Sequence, residues 1–339
     1  MFTKYLNAAI DVVRKASLIS KEIQKTISSE NVISKSDLSP VTVADYSVQA
    51  IISLHLIRLF GKENFKLVAE EDSNFLQTSQ GKDCLERVTT YVNQAFESDI
   101  YTEQDIIEVL SNNNNIDTNH DYWVLDPIDG TKGFIRKQYY AIGLAYIHNH
   151  TPFFGIISSP NLSFSSFSSS LNIYDSFPKG CIFVAQQSSG VKMIDLDTHI
   201  SRAICCHDIQ SVSDAVFVTS YERGHSNVSI LDSIKQELNN NTQSIYIDSM
   251  TKYCLVARGD AHVYYRYKPT NDYKENVWDH AAGYIIAKES GLIVTDILNK
   301  EIDFSTGKKL SNNHGILVSS PSIRPQVMNA IHKVIFPDM

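Results

Sequence analysis

Residues 122–134, YWVLDPIDGTKGF, decide the fold, because an apolar run ends there in a turn that contains several polar groups. Residues 122–125 are apolar and predict a buried strand. Pro127 and Gly130 follow, and both residues are typical of a chain that stops pairing and turns. The sequence therefore predicts a strand end with a defined turn at this point.

The turn contains four potential oxygen ligands at close spacing. A chain fixed by proline can direct the Asp126 and Asp129 carboxylates and the Ile128 carbonyl to one point, and Thr131 adds a hydroxyl beside it. Oxygen-only sites suit Mg²⁺ or Mn²⁺ and not zinc. The alternative is that Asp-Pro and Asp-Gly are ordinary turn dipeptides here.

Composition describes a globular chain with an acidic balance. The chain has 339 residues, of which 43% are hydrophobic and 20% charged, and its formal net charge is −8. This length suffices for one large domain or two lobes. The charge gives no basic field for a nucleic-acid polymer, but an acidic protein can bind a small anion if metal ions supply the positive charge.

Five cysteines without a CxxC pair exclude a disulfide framework and a zinc site and indicate a reducing compartment. We find no signal peptide and expect no membrane span, so we expect a cytoplasmic protein without membrane contact. The sequence gives no sign of an obligatory protein partner.

Three other stretches place an acidic residue at an element boundary. Asp45 falls in the first turn of a helix predicted after Thr42, where it can also simply compensate the helix dipole. Glu70 follows a strand-like run and lies at the same rim as Asp126 if the two strands are neighbours. Asp279 falls at the start of a helix predicted over residues 276–291, which Gly291 ends.

Periodicity predicts a long first helix, an antiparallel pair of strands after the central turn, and then alternating strands and helices. We expect a mixed α+β and α/β fold with two lobes: residues 1–160, with most of the acidic groups, and residues 161–339, with Asp279. The predicted elements span these ranges: helices 2–28, 43–60, 85–96, 104–110, 227–238, 248–259 and 276–291; strands 66–69, 122–125, 141–147, 153–157, 180–186, 191–196, 215–219, 245–247, 262–267, 293–296 and 315–319.

Spacing does not decide whether the acidic residues converge. Each pair of like charges at about 4 Å costs roughly 4 kcal/mol at an effective dielectric of about 20. Five converging carboxylates therefore require divalent cations among them, or they do not converge.

Four motifs in this order, SPVTVAD, VAEED, DPIDGTKGF and WDHAAG, resemble the inositol monophosphatase superfamily of metal-dependent, lithium-sensitive phosphatases over most of the chain. The resemblance implies a layered αβαβα sandwich with its site between two lobes. ERGHS at 222–226, DSMTKYC at 248–254 and Arg266, thirteen residues before Asp279, are similar to the 3′(2′),5′-bisphosphate nucleotidase branch. Ala69 departs from the glycine that the family commonly has there.

The resemblance implies a ligand set for two or three Mg²⁺ ions. Glu70, Asp126 and the Ile128 carbonyl are expected to hold the first, and Asp126, Asp129 and Asp279 the second. A third ion would contact Glu70.

The resemblance also implies catalytic residues and a substrate. Thr131, paired with Asp45, would orient the attacking water, with Glu70 also in the catalytic set, and the substrate would be adenosine 3′,5′-bisphosphate or its 5′-phosphosulfate analogue. The residues expected to contact the substrate are Thr131, His225, Ser249, Lys252, Arg266 and Asp279. The alternatives are an inositol polyphosphate 1-phosphatase and a non-catalytic nucleotide sensor.

Overall fold

The computed structural model describes residues 2–26, 32–34, 40–98, 100–111, 120–165, 180–221, 228–267 and 273–336. Two large sheets organise this part of the chain, one of seven strands and one of five, besides a two-stranded ribbon. The helices are α1 Phe2–Thr26, α2 Val43–Phe60, α3 Lys82–Phe96, α4 Glu103–Ser111, α5 Thr131–Ile135, α6 Val228–Glu237, α7 Thr251–Arg258, α8 Ala281–Glu289 and α9 Arg324–Ile335. The strands are β1 Val32–Ser34, β2 Pro40–Thr42, β3 Leu67–Ala69, β4 Tyr122–Asp129, β5 Ala141–His148, β6 Thr151–Ser159, β7 Cys181–Gln186, β8 Val191–Asp195, β9 Ser201–Ile204, β10 Phe217–Thr219, β11 Ile245–Tyr246, β12 Val263–Arg266, β13 Ile293–Thr295 and β14 Ile316–Ser319.

The seven-stranded sheet follows the chain order β3 to β9, and only its first pair, β3 and β4, is parallel. The other neighbours pair antiparallel. The five-stranded sheet has the order β11-β10-β12-β14-β13 and is mixed. In it, β10 pairs parallel with β11 and β12, whereas β14 pairs antiparallel with β12 and β13.

Helices and sheets alternate as five layers, αβαβα. Helices α1 and α2 pack on one face of the seven-stranded sheet, α7 and α8 lie between the two sheets, and α6 and α9 cover the outer face of the second sheet. Both faces of β5 are therefore covered, which explains why its sequence is almost continuously apolar. The layered fold predicted from the motifs is confirmed.

The predicted helices and strands correspond to elements of the structure, mostly with small differences at their ends. The exception is β4, which continues through Asp126–Asp129, where the sequence predicts a turn. Strands β1, β2 and β9 and helices α5 and α9 are not among the predicted elements. Helix α8 begins at Ala281 and not at residue 276. The backbone N–H of Val277 donates to the Lys308 carbonyl at 2.9 Å, because the residues before Ala281 lie alongside the segment that contains Lys308. The division at residue 160 remains a proposal; the seven-stranded sheet continues past it to Ile204.

Helix α2 corrects one expectation. It is long and apolar enough to cross a membrane by length and composition, although no such run was expected. Of the residues Val43–Phe60, 67% are buried inside the protein, as in the core helix of a globular domain. Its apolar character therefore has a packing explanation in this fold.

Two glycines on neighbouring strands allow α8 and the loop before α7 to approach the first sheet. A Cβ built on Gly155 would lie 2.8 Å from the Ala282 backbone oxygen in α8. A Cβ built on Gly143 would meet the sulfur of Met250, at the end of a flexible side chain.

We expect Gly155→Ala to destabilise the protein by roughly 1–3 kcal/mol, because backbone of α8 must move to admit the methyl group. Gly143→Ala is the matched control, and its loss should be smaller because methionine can change rotamer. Urea unfolding of both variants measures the difference. Equal losses would contradict this account of the packing.

Candidate active site

The first parallel strand pair sets the position of the site. In the register of β3 and β4, Ala69 is the partner of Leu125, so Glu70, directly after β3, and Asp126, within β4, follow at equivalent positions. Beyond Asp126 the register of β4 against β5 shifts before Asp129. The shift leaves Pro127 and Ile128 outside the regular pairing, and Asp129 pairs again with Ala141. The prediction that Glu70 lies at the same rim as Asp126 is confirmed.

Gly130 ends the strand with φ at +86°, and α5 begins directly after it. A Cβ at this position would lie 3.0 Å from the Ser249 side chain, so both the backbone conformation and the close approach favour glycine. The Thr131 hydroxyl donates a hydrogen bond of 3.2 Å to the Ile128 carbonyl. The turn thus places Thr131 beside the expected metal-binding carbonyl.

Asp126 is the centre of an acidic cluster. Its side chain is 1% exposed, and its Oδ1 atom is buried without a hydrogen-bond partner among the described residues. Burial raises the pKa of Asp126 well above its ordinary value, and the charges of Glu70, Asp129, Asp279 and Asp45 raise it further. The structure therefore brings together the acidic residues that the sequence places in four separate stretches.

The acidic residues of the first lobe differ in exposure. Asp45, in the first turn of α2, is buried, whereas Glu70 is exposed. Gln49, one helical turn after Asp45, donates to the Glu71 carbonyl at 2.7 Å and accepts from the Glu71 N–H at 3.1 Å. These two hydrogen bonds from one side chain to the backbone fix the strand end that carries Glu70. The sequence analysis does not predict them.

Asp129 connects the two sheets. Its Oδ2 atom accepts a hydrogen bond from the Met250 backbone N–H, in the loop that leads from β11 to α7. Burial and then the Asp279 charge raise the pKa of Asp129 to about 7, against the lowering effect of Lys252 and the Met250 N–H. A carboxylate of the first sheet is thus held by the segment that leads into α7.

Lys252 is 1% exposed, and its ammonium group donates to two carbonyls of that loop, Ile247 at 2.9 Å and Ser249 at 2.8 Å. Burial lowers its pKa to about 8, and the charge of Asp129 opposes this change. Ser249 is also buried, and its hydroxyl donates to Thr251 at 2.9 Å. His225, which the sequence analysis predicts to contact the substrate, lies outside the residues that the structure describes.

Arg266 and Asp279 lie on the side of the second sheet. One terminal nitrogen of Arg266 lies 2.7 Å from Glu275 and 3.5 Å from Asp279. Ligand atoms of Glu275, Asp279 and His280 lie within 4.8 Å of one another. Glu275 and His280 were not predicted, although both lie within four residues of Asp279.

Next to the loop before α7 is an aromatic recess of about 180 Å³, with Gly133, Gln138, Tyr139, Tyr221, Tyr246, Ile247 and Asp248 lining it. The ring of Tyr221 is 59% exposed, and the Arg136 guanidinium lies 5.2 Å from its centroid. Arg136 also pairs with Asp248 at 2.7 Å. The lining residue Asp248 directly precedes Ser249 in the chain, so the recess adjoins one of the predicted substrate contacts.

The donor set fits a hard divalent cation. The converging groups are carboxylates with the Ile128 carbonyl nearby, and Asp126 Oδ1 is a buried acceptor without a donor among the described residues. Repulsion among the carboxylates provides a further reason for a cation here. At the neighbouring Glu275–Asp279–His280 group, the Arg266 guanidinium already supplies a positive charge.

The family model described as "Inositol monophosphatase family" matches residues 3–335. The chain belongs to this family. Enzymes of the family generally use Mg²⁺. The assignment agrees with the oxygen-only acidic cluster and confirms the resemblance that the four motifs suggest.

Curated relatives cover almost the whole chain. The chain is 36% identical over 338 residues to the "3′(2′),5′-bisphosphate nucleotidase" of Dictyostelium discoideum, covering 98% of this chain and 97% of the relative. It is 33% identical over 342 residues to "3′,5′-bisphosphate nucleotidase 2" of Arabidopsis thaliana, with the same coverage.

Solved structures share the fold at lower identity. Thermotoga maritima IMPase matches with a TM-score of 0.66 at 20% identity, covering 98% of both chains. The inositol monophosphatase of Anabaena matches with a TM-score of 0.61 at 17% identity, covering 98% of this chain and 97% of the other.

The raised pKa values predict that the metal-free protein loses stability as pH rises. The pKa of Asp129 is about 7 in the folded protein against an ordinary 3.8. Between pH 3.8 and about 7, Asp129 has lost its proton in the unfolded chain but retains it in the folded chain. A rise in pH over this range therefore favours unfolding. The lowered pKa of Glu275 acts in the opposite direction below its ordinary value of 4.5, and the lowered pKa values of His55 and His262 do so below their ordinary value of 6.5. The raised pKa of Asp126 adds to the effect of Asp129. We therefore expect the free energy of unfolding to fall between pH 4.5 and about 7.

Urea unfolding at several pH values in the presence of a chelator measures this slope. Asp126→Asn removes the buried carboxylate, so the variant should be more stable than the parent without metal at pH 7 and gain less from added Mg²⁺. Glu301→Gln, at an exposed surface pair with Lys288, is the matched control. A metal-free stability that increases over this pH range would contradict the proposed repulsion.

Proposed function

We propose that this protein is a 3′(2′),5′-bisphosphate nucleotidase that hydrolyses the 3′-phosphate of adenosine 3′,5′-bisphosphate and releases AMP and phosphate. The observation that supports it most directly is the acidic cluster around Asp126, with an aromatic recess beside it. The cluster suits a phosphate bound through cations, and the recess suits a flat base. Its nearly full-length relatives with this name support the same substrate.

The residues that would hold Mg²⁺ are Glu70, Asp126, the Ile128 carbonyl, Asp129 and Asp279, for two or three ions. Bound divalent cations would activate water for attack on phosphorus and stabilise the leaving oxygen. Asp126, buried at the centre of the cluster, would be one of the carboxylates that hold these cations. The register of β3 and β4 supports Glu70 as its neighbour in this set.

Thr131, Asp45 and Glu70 form the proposed catalytic group. The Thr131 hydroxyl donates to the Ile128 carbonyl in this structure and would turn to orient the attacking water. A threonine hydroxyl is a weak acid, so it needs a base, and Asp45 would accept the proton. The influence of the Asp45 charge on Asp126 supports its closeness to the reaction.

On the substrate side, we propose contacts from Thr131, His225, Ser249, Lys252, Arg266 and Asp279. Lys252 and Arg266 would provide positive charge for the non-scissile 5′-phosphate. In this structure Lys252 donates to two loop carbonyls, so its contribution includes holding the loop that forms one wall of the recess. The cytoplasmic location remains part of this proposal.

Inositol polyphosphate 1-phosphatase activity is the second candidate within the family. An inositol ring carries hydroxyl groups on every side and gains little from an aromatic wall, whereas a purine stacks on one. The exposed Tyr221 ring and its neighbour Tyr246 therefore favour the nucleotide.

Phosphate release across a panel of adenosine bisphosphates and inositol phosphates tests the activity. We expect the fastest release from adenosine 3′,5′-bisphosphate, complete loss after chelation of divalent ions, and inhibition by low concentrations of lithium, which is typical of the family. Nucleotide binding without any phosphate release would instead favour a non-catalytic sensor, and an unchanged rate in chelator would remove the metal from the mechanism.

Removal of one wall of the aromatic recess should change substrate preference. We expect Tyr221→Ala to raise KM for adenosine 3′,5′-bisphosphate roughly tenfold, because stacking on one aromatic ring stabilises a bound base by roughly 1–3 kcal/mol. KM for inositol 1,4-bisphosphate serves as the internal control and should not change.

Ile200→Ala, at another exposed apolar side chain, controls for general surface effects. Equal changes on both substrates would place the base elsewhere.

A further inference from the structure

A chain of buried hydrogen bonds connects α7 to Arg266. The Tyr253 hydroxyl and His280 Nδ1 lie 2.9 Å apart, and His280 Nε2 lies 3.2 Å from Glu275 Oε2. The same Glu275 oxygen lies 2.7 Å from a terminal nitrogen of Arg266. Four side chains from α7, β12 and the segment before α8 thus form one continuous network.

The network excludes water. Tyr253 and His280 are each 1% exposed, Glu275 is 4% exposed and Arg266 is 7% exposed. A carboxylate buried to this degree is stable only if several donors surround it. Glu275 has such donors on both sides, since Arg266 and His280 approach the same oxygen and the Tyr273 hydroxyl lies 3.4 Å from it.

The arrangement fixes how the guanidinium of Arg266 is presented. One terminal nitrogen contacts Glu275, Asp279 and Tyr273. The Nε atom is buried and has no hydrogen-bond partner in the parts of the chain that the structure describes. One edge of a planar, rigid donor group is therefore anchored, which fixes the plane of the guanidinium.

We propose that Glu275, supported by His280 and Tyr253, is a positioning residue that holds the Arg266 guanidinium in the one orientation that binds the substrate phosphate. This inference rests on the proposed function, in which Arg266 contacts the 5′-phosphate. Glu275 does not touch the substrate; it acts through Arg266. Because Tyr253 belongs to α7, the network also links the orientation of Arg266 to this helix, in which Tyr253 directly follows Lys252.

A purely structural ion pair is the alternative explanation. In that case the loss of Glu275 would lower stability and leave substrate affinity to the folded fraction unchanged. A second alternative is competition, in which Glu275 neutralises Arg266 and its removal strengthens phosphate binding. The three possibilities predict different changes in KM.

A double-mutant cycle on the full chain with Mg²⁺ distinguishes these three explanations. The cycle compares kcat and KM for adenosine 3′,5′-bisphosphate in four proteins: the parent, Glu275→Gln, Arg266→Lys and the double variant. Glutamine keeps a hydrogen-bond acceptor of the same size and removes the charge. We expect Glu275→Gln to raise KM about tenfold with a smaller change in kcat, as for loss of a charge-assisted contact. In the Arg266→Lys background the same substitution should change KM less than twofold.

Thermal unfolding of each variant and the surface control Glu301→Gln accompany the kinetics. Tyr253→Phe, which removes a single hydroxyl and keeps the ring, tests the outer end of the network if Glu275→Gln does not fold, and we expect about a threefold higher KM from it. KM for adenosine 3′-monophosphate, which lacks the 5′-phosphate, should be unaffected in both variants.

An unchanged or lower KM in Glu275→Gln, or in Tyr253→Phe where that variant replaces it, overturns the inference, as do additive effects in the cycle. Equal increases for the bisphosphate and the monophosphate overturn it too. Failure of the proposed function has a different signature, since the parent enzyme itself would then release no phosphate from the nucleotide.

Discussion

The structure depends on one electrostatic constraint: carboxylates from separate parts of the chain are gathered around a buried aspartate. The parallel pairing of β3 and β4 places Glu70 beside Asp126, and the layered packing brings Asp279 close enough from the other side for its charge to act on Asp126. Without a cation this arrangement opposes folding, because Asp126 is 1% exposed and its ordinary charged form is unfavourable there. The remaining protein must therefore supply the energy that holds the cluster together.

Much of that energy comes from the apolar layers on both sides of the cluster. One core fills the space between α1, α2 and the seven-stranded sheet, and a second lies between the two sheets around α7 and α8. Polar contacts then set the fine positions: Gln49 fixes the backbone at Glu71, and the Met250 N–H holds Asp129. A rigid scaffold with few local adjustments is typical of sites that bind and position a charged ligand.

The sequence predicts the parts of this arrangement that depend on local patterns. Strand β4 and its turn follow from an apolar run with Pro and Gly after it, and the position of Glu70 follows from the pairing of neighbouring strands. Contacts between distant segments leave no such pattern, as in the pair of Arg136 with Asp248, 112 residues apart. Convergence of the acidic groups required the family resemblance, because spacing alone is equally consistent with scattered carboxylates.

The loop before α7 serves two purposes at once. Ile247 and Asp248 line the aromatic recess, and the backbone N–H of Met250, two residues after Asp248, holds Asp129. Lys252 fixes the same loop through the Ile247 and Ser249 carbonyls. The proposed base-binding recess and the proposed cation site therefore share the segment 247–252. Because changes in this loop also act on Asp129, we expect changes of base specificity to arise first at Tyr221.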